Sequence, residues 1–325
     1  MSRPRRRLPD WGAAPRRPPS LRPGDTIAVL APASAADPSR IRRGVRQLEA
    51  LGFRTRVYAQ AFARRGHLAG RDKLRAAALR RAIADPQVRA VFFTRGGFGA
   101  ARLLPLLEGD LRRAPPKILI GYSDVTSLLA FATGKLGWVT FHGPMVATDL
   151  PELRPAQRAS LLGALGGGES DPLRLGVSLR DGVAKGRLFG GCLSILVSLL
   201  GTPYAVDLAD RILFFEDVNE APYSLDRMLT QLRQTGQLAR ARGIVFGEMA
   251  NCGRRSDLFA VLRERTADLG IPVAFGAPSG HGRGKRTVAF GARVLLDATR
   301  RFLQPLEPVV SPWPSVGPYR KLAER

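Results

Sequence analysis

The chain has 325 residues, enough for two ordinary domains, and carries 51 Lys+Arg against 27 Asp+Glu, a net charge of +24. Hydrophobic residues at 45% with a mean hydropathy of −0.07 exclude a wholly disordered chain. Three His and two Cys, Cys192 and Cys252, exclude a disulfide framework and a Cys-rich zinc module, and no apolar run approaches the ~20 residues of a membrane helix. The expectation is a reduced, cytoplasmic protein with no transmembrane anchor.

Residues 1–20 read as a disordered basic tail rich in Pro and Arg. Seven Arg fall in the first 22 positions. Such a tail could grip nucleic acid or an anionic membrane. The reading preferred is a solvated leader plus a general Arg-for-Lys bias, since only Trp11 offers an aromatic among these Arg. No apolar stretch or small-residue cleavage site follows the Arg pairs, so they are not an export signal.

From 21 to 150 the pattern predicts an N-terminal α/β domain. Thr26–Ala31 is a short apolar strand stopped by Pro32. Ile41, Val45, Leu48 and Leu51 share one face of a helix ended by Gly52. A weak strand at 54–58 and a helix from Asp72 to Ala84 follow, closed by Asp85-Pro86. Strand 90–94 empties into Arg95-Gly-Gly-Phe-Gly99. A helix covers 100–107, strand 117–122 comes next, and a helix spans 124–135. Strands alternating with helices predict a parallel, Rossmann- or flavodoxin-like sheet covered on both faces.

Residues 151–185, with Gly166-Gly-Gly168, read as a linker. A smaller C-terminal mixed β/α domain is expected over 186–303. Its elements are strand 211–215, a helix with the stripe Leu225, Met228, Leu229 and Leu232, strand 243–247, helix 257–269, strand 271–275 and a final β pair across 286–296. Residues 304–325 hold five Pro and read as an irregular tail.

In open α/β sheets, sites gather beyond the carboxyl ends of strands. Ser123, Glu216 and His281 fall there, and together they are the parts of a hydrolytic triad. Ser123 follows Gly121-Tyr122 at a strand-to-helix turn, which would expose its hydroxyl; the same position suits a plain helix cap. The spacing is not G-x-S-x-G. Arg95–Gly99 could cradle a phosphate, donate backbone N–H groups to an oxyanion, or be a tight turn; it lacks the nucleotide-binding orders. His142 reads as a core or supporting histidine and His67 as a surface-loop residue. A metal site of three imidazoles would consume every His in the chain.

Taken in order, eight stretches resemble one family. They are Leu21–Thr26 with Ala31-Pro32; Leu68-Ala-Gly70; Arg95–Gly99 with Arg102-Leu-Leu104; Gly121-Tyr-Ser-Asp124; His142-Gly-Pro-Met145; Gly190-Gly191 with Gly201-Thr-Pro-Tyr204; Glu216-Asp217 with Asp226–Thr230; and Gly280-His281. The sequence resembles the LD-carboxypeptidases of the serine peptidase class, the muramoyltetrapeptide carboxypeptidase and microcin-immunity group. The resemblance covers about residues 21–297.

It implies Ser123 as nucleophile, Glu216 as the triad carboxylate and His281 as general base. It implies an oxyanion hole from the backbone N–H of Asp124 and one from the Gly96–Gly97 turn. It also implies a site between two domains in a homodimer, with no metal and no organic cofactor. The reaction implied is hydrolysis of the amide between an L-centre and a terminal D-amino acid, such as the D-Ala of a murein tetrapeptide, in peptidoglycan recycling. Arg95, Phe98 and Arg102 are expected to bind substrate. The alternatives are an immunity-type amidase acting on a peptidyl-nucleotide or acyl-sulfamoyl adenylate and, from another class, a basic nucleic-acid- or membrane-associated binding protein. No obligate nucleic-acid partner is expected. Departures from the family pattern are Phe98 for Tyr, Cys192 for Asn, and the basic run Gly282-Arg-Gly-Lys-Arg286 after His281.

Overall fold

Two twisted sheets share one seam in the computed structural model, which describes residues 14–168 and 171–312. The first half of the chain gives β1 (Thr26–Leu30), α1 (Pro38–Ala50), β2 (Arg54–Val57), α2 (Asp72–Ala84), β3 (Val88–Phe93), α3 (Leu104–Arg113), β4 (Ile118–Gly121), α4 (Thr126–Leu136), β5 (Thr140–His142) and α5 (Pro155–Gly166). The second half gives β6 (Leu173–Arg174), β7 (Val177–Arg180), β8 (Val183–Cys192), α6 (Leu193–Ser198), β9 (Arg211–Val218), α7 (Pro222–Gln234), β10 (Gly243–Ala250), α8 (Arg255–Thr266), β11 (Val273–Gly280), β12 (Val288–Phe290), β13 (Arg293–Asp297) and β14 (Phe302–Pro305).

The first sheet runs β12-β5-β4-β3-β1-β2. Its five N-terminal strands are parallel, in the flavodoxin-like order 2-1-3-4-5. That order places a topological switch between β1 and β3, so the loops leaving their carboxyl ends part and open a crevice. The second sheet runs β6-β14-β13-β8-β9-β10-β11-β7, with β8 to β11 parallel and antiparallel strands on both flanks.

Burial ties the two sheets together. Leu103, Phe131 and Trp138 from the first lobe and Phe189, Leu193, Phe215 and Leu229 from the second belong to one apolar cluster. Each such side chain contributes about 1.5–3 kcal/mol on leaving water. The outer face of each sheet has its own cluster, under α1 and α5 for the first sheet and around Phe214, Phe290 and Leu296 for the second.

Four expectations need revision. Residues 151–185, read as a linker, carry α5, β6 and β7. The C-terminal β pair is divided: β13 pairs with β8, but β12 crosses to pair with β5 of the first sheet. The N-terminal tail is ordered from residue 14. Arg16 N–H donates to Gly137 O at 2.8 Å, Arg17 pairs with Glu307 at 2.9 Å, and Ser20 N–H donates to Ser311 O at 3.0 Å. The supposed C-terminal tail is therefore also pinned as far as Ser311, and its first residues belong to β14. Residues 1–13 and 313–325 lie outside the described residues.

Candidate active site

Ser123 sits where β4 meets α4. Tyr122 is extended, Ser123 has φ +62°, and a single 3-10 turn over Ser123–Val125 leads into the helix. A left-handed conformation in a residue with a Cβ is disfavoured by about 1–2 kcal/mol, and such outliers cluster at functional sites. Gly121 permits the fold-back, since a Cβ there would lie 2.9 Å from Val125 Cγ1.

The Gly-rich loop passes directly over this hydroxyl. A Cβ on Gly96 would lie 2.7 Å from Ser123 Cβ, 2.8 Å from its Oγ and 3.2 Å from Asp124 N. Asp124 holds the loop there, its Oδ2 accepting the Ala100 N–H at 2.8 Å. Burial pushes the Asp124 carboxyl up to about 6 against the opposing pull of that hydrogen bond. On the far side Ser34 accepts the Phe98 N–H at 3.1 Å and donates its own N–H to Gly96 O at 3.3 Å. Gly97, at φ +105°, has no room for a Cβ beside Ser34.

Glu216 lies inside β9 rather than just beyond it, and its side chain is fully buried. Its Oε2 accepts the His281 backbone N–H at 3.0 Å and faces His281 Nδ1 at 2.7 Å. A carboxylate at that distance fixes the proton on Nδ1 and leaves Nε2 as the free ring acceptor. β11 delivers His281. Gly280, at φ +135°, is required, because a Cβ would lie 2.7 Å from Glu216 Oε2.

Behind the pair, His142 is buried with Nε2 4.0 Å from Glu216 Oε1, and Tyr122, Phe214 and Phe290 surround its ring. Burial, followed by the nearby His281 and Lys285 charges, holds His142 down at about 3, so it is neutral at working pH.

The His281 ring stands edge-on to Tyr122, the neighbour of Ser123, with centroids 5.0 Å apart. Serine, glutamate and histidine thus reach one seam from two lobes. Among the described residues no hydrogen bond joins Ser123 Oγ to the imidazole. Catalytic hydrogen bonds of this kind often tighten only with substrate in place.

Of the expected substrate residues, Arg102 is occupied: its Nε and Nη2 bind Asp72 at 2.9 and 2.8 Å, and Asp72 also pairs with the buried Arg75. Arg95 is half-buried with its Nε enclosed, and among the described residues it has no hydrogen-bond or ion-pair partner. Phe98 is 54% exposed and leans on His67, with ring centroids 6.1 Å apart.

Sequence reasoning missed the polar contacts that join the lobes and those that brace the second lobe beside Glu216. Thr126 Oγ1 accepts the Cys192 N–H at 3.1 Å, and Gly191 at φ +136° makes room for that threonine. Asp217 accepts the N–H groups of Ser194 and Val218 at 2.7 and 2.9 Å. Cys192 is buried beside it, and burial, together with Glu216 and Asp217, pushes its thiol up, which makes it a poor nucleophile. Lys285 contacts Tyr122 and Asp149 across the seam. Its only sequence signal was the unexpectedly basic run after His281. Gly191, Cys192 and Asp217 lie in stretches singled out by the family resemblance, but nothing in the sequence announced the contacts of Cys192 with Thr126 and of Asp217 with Ser194, whose partners lie 66 and 23 residues away.

Residues 27–143 match the LD-carboxypeptidase N-terminal domain and residues 185–296 match the LD-carboxypeptidase C-terminal domain. The chain is 36% identical over 295 residues to a probable murein peptide carboxypeptidase of Bacillus subtilis, covering 88% of this chain and 92% of that one. It is 33% identical over 291 residues to the murein tetrapeptide carboxypeptidase of Pseudomonas aeruginosa, covering 84% and 94%. The crystal structure of muramoyltetrapeptide carboxypeptidase from Oxalobacter formigenes superposes with a TM-score of 0.79 at 29% identity, over 86% of this chain and 97% of that one. With both domains matched in order around the seam that holds Ser123, Glu216 and His281, the chain belongs to the LD-carboxypeptidase family of peptidases.

Proposed function

We propose that the protein is a serine-type LD-carboxypeptidase that removes the terminal D-Ala from a murein tetrapeptide. The observation that carries this reading is the Glu216–His281 pair, whose free Nε2 belongs to a ring packed on the residue next to Ser123. In this mechanism His281 Nε2 takes the Ser123 proton as Oγ attacks the carbonyl carbon. The N–H of Asp124 and one from the Gly96–Gly97 turn receive the developing oxyanion. Collapse breaks the C–N bond, and His281 passes its proton to the leaving D-Ala amine. Water, deprotonated by the same imidazole, then hydrolyses the acyl-enzyme. Glu216 holds the tautomer and stabilises the imidazolium throughout.

Arg95, a guanidinium beside the Gly turn with no hydrogen-bond or ion-pair partner among the described residues, is the candidate for the carboxylate of the leaving residue. Arg95→Ala is expected to raise KM about tenfold with a smaller fall in kcat, and an unchanged KM removes that assignment.

The decisive experiment offers the purified protein a murein tetrapeptide, the matching tripeptide-amide and an acyl-sulfamoyl adenylate. Release of D-Ala from the first is the expected result. Turnover of the adenylate alone would turn the assignment to the immunity-type activity. Among the described residues no helix is long and apolar enough to cross a membrane. The same reading makes the enzyme a cytoplasmic homodimer, which cell fractionation and sedimentation would check.

A further inference from the structure

The loop after β11 folds back so that Lys285 returns to the start of its own segment. Lys285 Nζ donates to Gly280 O at 2.8 Å and closes a ring of chain around His281. The same ammonium crosses the seam, donating to Tyr122 Oη at 2.8 Å and pairing with Asp149 Oδ1 at 3.3 Å. It lies 4.1 Å from the centroid of the Tyr122 ring. Tyr122 Oη donates onward to Asp149 Oδ1 at 3.2 Å, and Asp149 Oδ2 accepts the Met145 N–H at 2.9 Å. Lysine, tyrosine and aspartate are all largely buried, with the side chains of Lys285 and Asp149 11% and 8% exposed.

Two features show that the loop is built to make these contacts. Lys285 itself has φ +46°, a left-handed backbone that a lysine adopts only under constraint. Its neighbours have no room for side chains, since a Cβ on Gly284 would run into the Pro278 backbone and one on Gly282 into the Glu248 carboxylate. Glu248 Oε1 accepts the Gly284 N–H at 2.9 Å from the other side.

We infer that Lys285 is a positioning residue, an interlobe latch that docks the His281 loop onto Tyr122 and Asp149 and so sets the distance between the imidazole and Ser123. The inference rests on the catalytic reading above. Glu216 orients the ring within the second lobe, and its contact with the first is His142 Nε2, 4.0 Å from Oε1 and too long for a hydrogen bond. The Lys285 ammonium ties the His281 loop to Tyr122, the residue beside Ser123, whereas the loop's other ties to the first lobe go to α5, through Gln157 Nε2 donating to Arg283 O at 2.8 Å, Arg286 Nη1 to Ala156 O at 3.1 Å and Thr287 N–H to Ser160 Oγ at 3.0 Å. A misplacement of about 1 Å in such a pair can lower the rate about 100-fold.

The test uses the full-length protein and two variants, Lys285→Met and Lys285→Asn. Asparagine suits a left-handed backbone, so loss in that variant cannot be laid to strain. Two rates are read: D-Ala release and labelling of Ser123 by a fluorophosphonate, which needs no particular peptide. Both variants are expected to lower kcat and the labelling rate about 10- to 100-fold with KM within about twofold of wild type. Tyr122→Phe should add little further loss in the Lys285→Met background. Wild-type labelling rates in a folded Lys285→Asn protein, or fully multiplicative losses in the double variant, overturn the latch. If Ser123→Ala is labelled as fast as wild type, the catalytic reading fails instead. The latch is then judged by amide exchange over residues 280–286, which must quicken at least about tenfold in Lys285→Asn if the tether holds the loop closed and overturns the latch if unchanged.

Discussion

The two halves of the site are held in place by different means. On the first lobe the hydroxyl is placed by main chain: a strained φ of +62° at Ser123, a glycine on the loop above it and a 3-10 turn below it. On the second lobe the imidazole is placed by side chains, through a buried carboxylate 2.7 Å from Nδ1. A backbone elbow is rigid but intolerant of any added atom. A side-chain pair tolerates motion of the loop but depends on the charge of one residue.

Substitutions test that contrast in order of expected effect. Ser123→Ala should lower kcat by about 10⁴-fold or more, since the remaining groups supply only binding and oxyanion contacts; retained D-Ala release would remove the nucleophile assignment. Glu216→Gln keeps the shape but presents an amide to Nδ1, and it should lower kcat about 10³- to 10⁴-fold with little change in KM. Gly96→Ala leaves every polar group in place and still should reduce kcat about 100-fold, because its methyl would sit against Ser123 Oγ. A near-normal rate in that variant would mean the loop can move away from the hydroxyl.

The smallest effect is one of stability against pH. Asp124 has its pKa raised to about 6 from 3.8, so the fold favours its protonated form. That contribution is full below about pH 4 and is lost as pH rises through about 6. Asp124→Asn should remove this slope from a plot of Tm against pH, an effect of about 2–3 kcal/mol at most. His142 works in the opposite sense. Held at about 3, it favours the neutral form, and its contribution is lost as pH falls from about 6.5 toward 3. The Asn variant should therefore show a steeper acid decline than wild type. An unchanged curve would mean that Asp124 is better hydrated than its surroundings indicate.

Legibility followed the range of the interactions. The helix over 72–84 and the Leu225–Leu232 stripe were plain because their periodicity is local. So was Ser123, since strand, turn and helix start are neighbours in sequence. β5 was hidden by its three-residue length, and β8 by the polar alternation of Val-Ala-Lys-Gly-Arg before its apolar end. Glu216 and Ser279–Gly280 were placed beyond their strands because glycine and acidic residues look like loop residues, whereas here they pair within β9 and β11. The Thr126–Cys192 and Lys285–Tyr122 contacts join residues 66 and 163 positions apart and leave no periodic trace.

The crossing of β12 into the first sheet has a practical consequence for anyone dissecting the enzyme. A fragment ending near residue 168 would keep β4 beside β5 but lose β12 from its other side, and with it the antiparallel partners of Thr140–His142. Such a bare edge invites pairing between copies. Truncation would yield a self-associating piece, and the two lobes are to be studied as one chain.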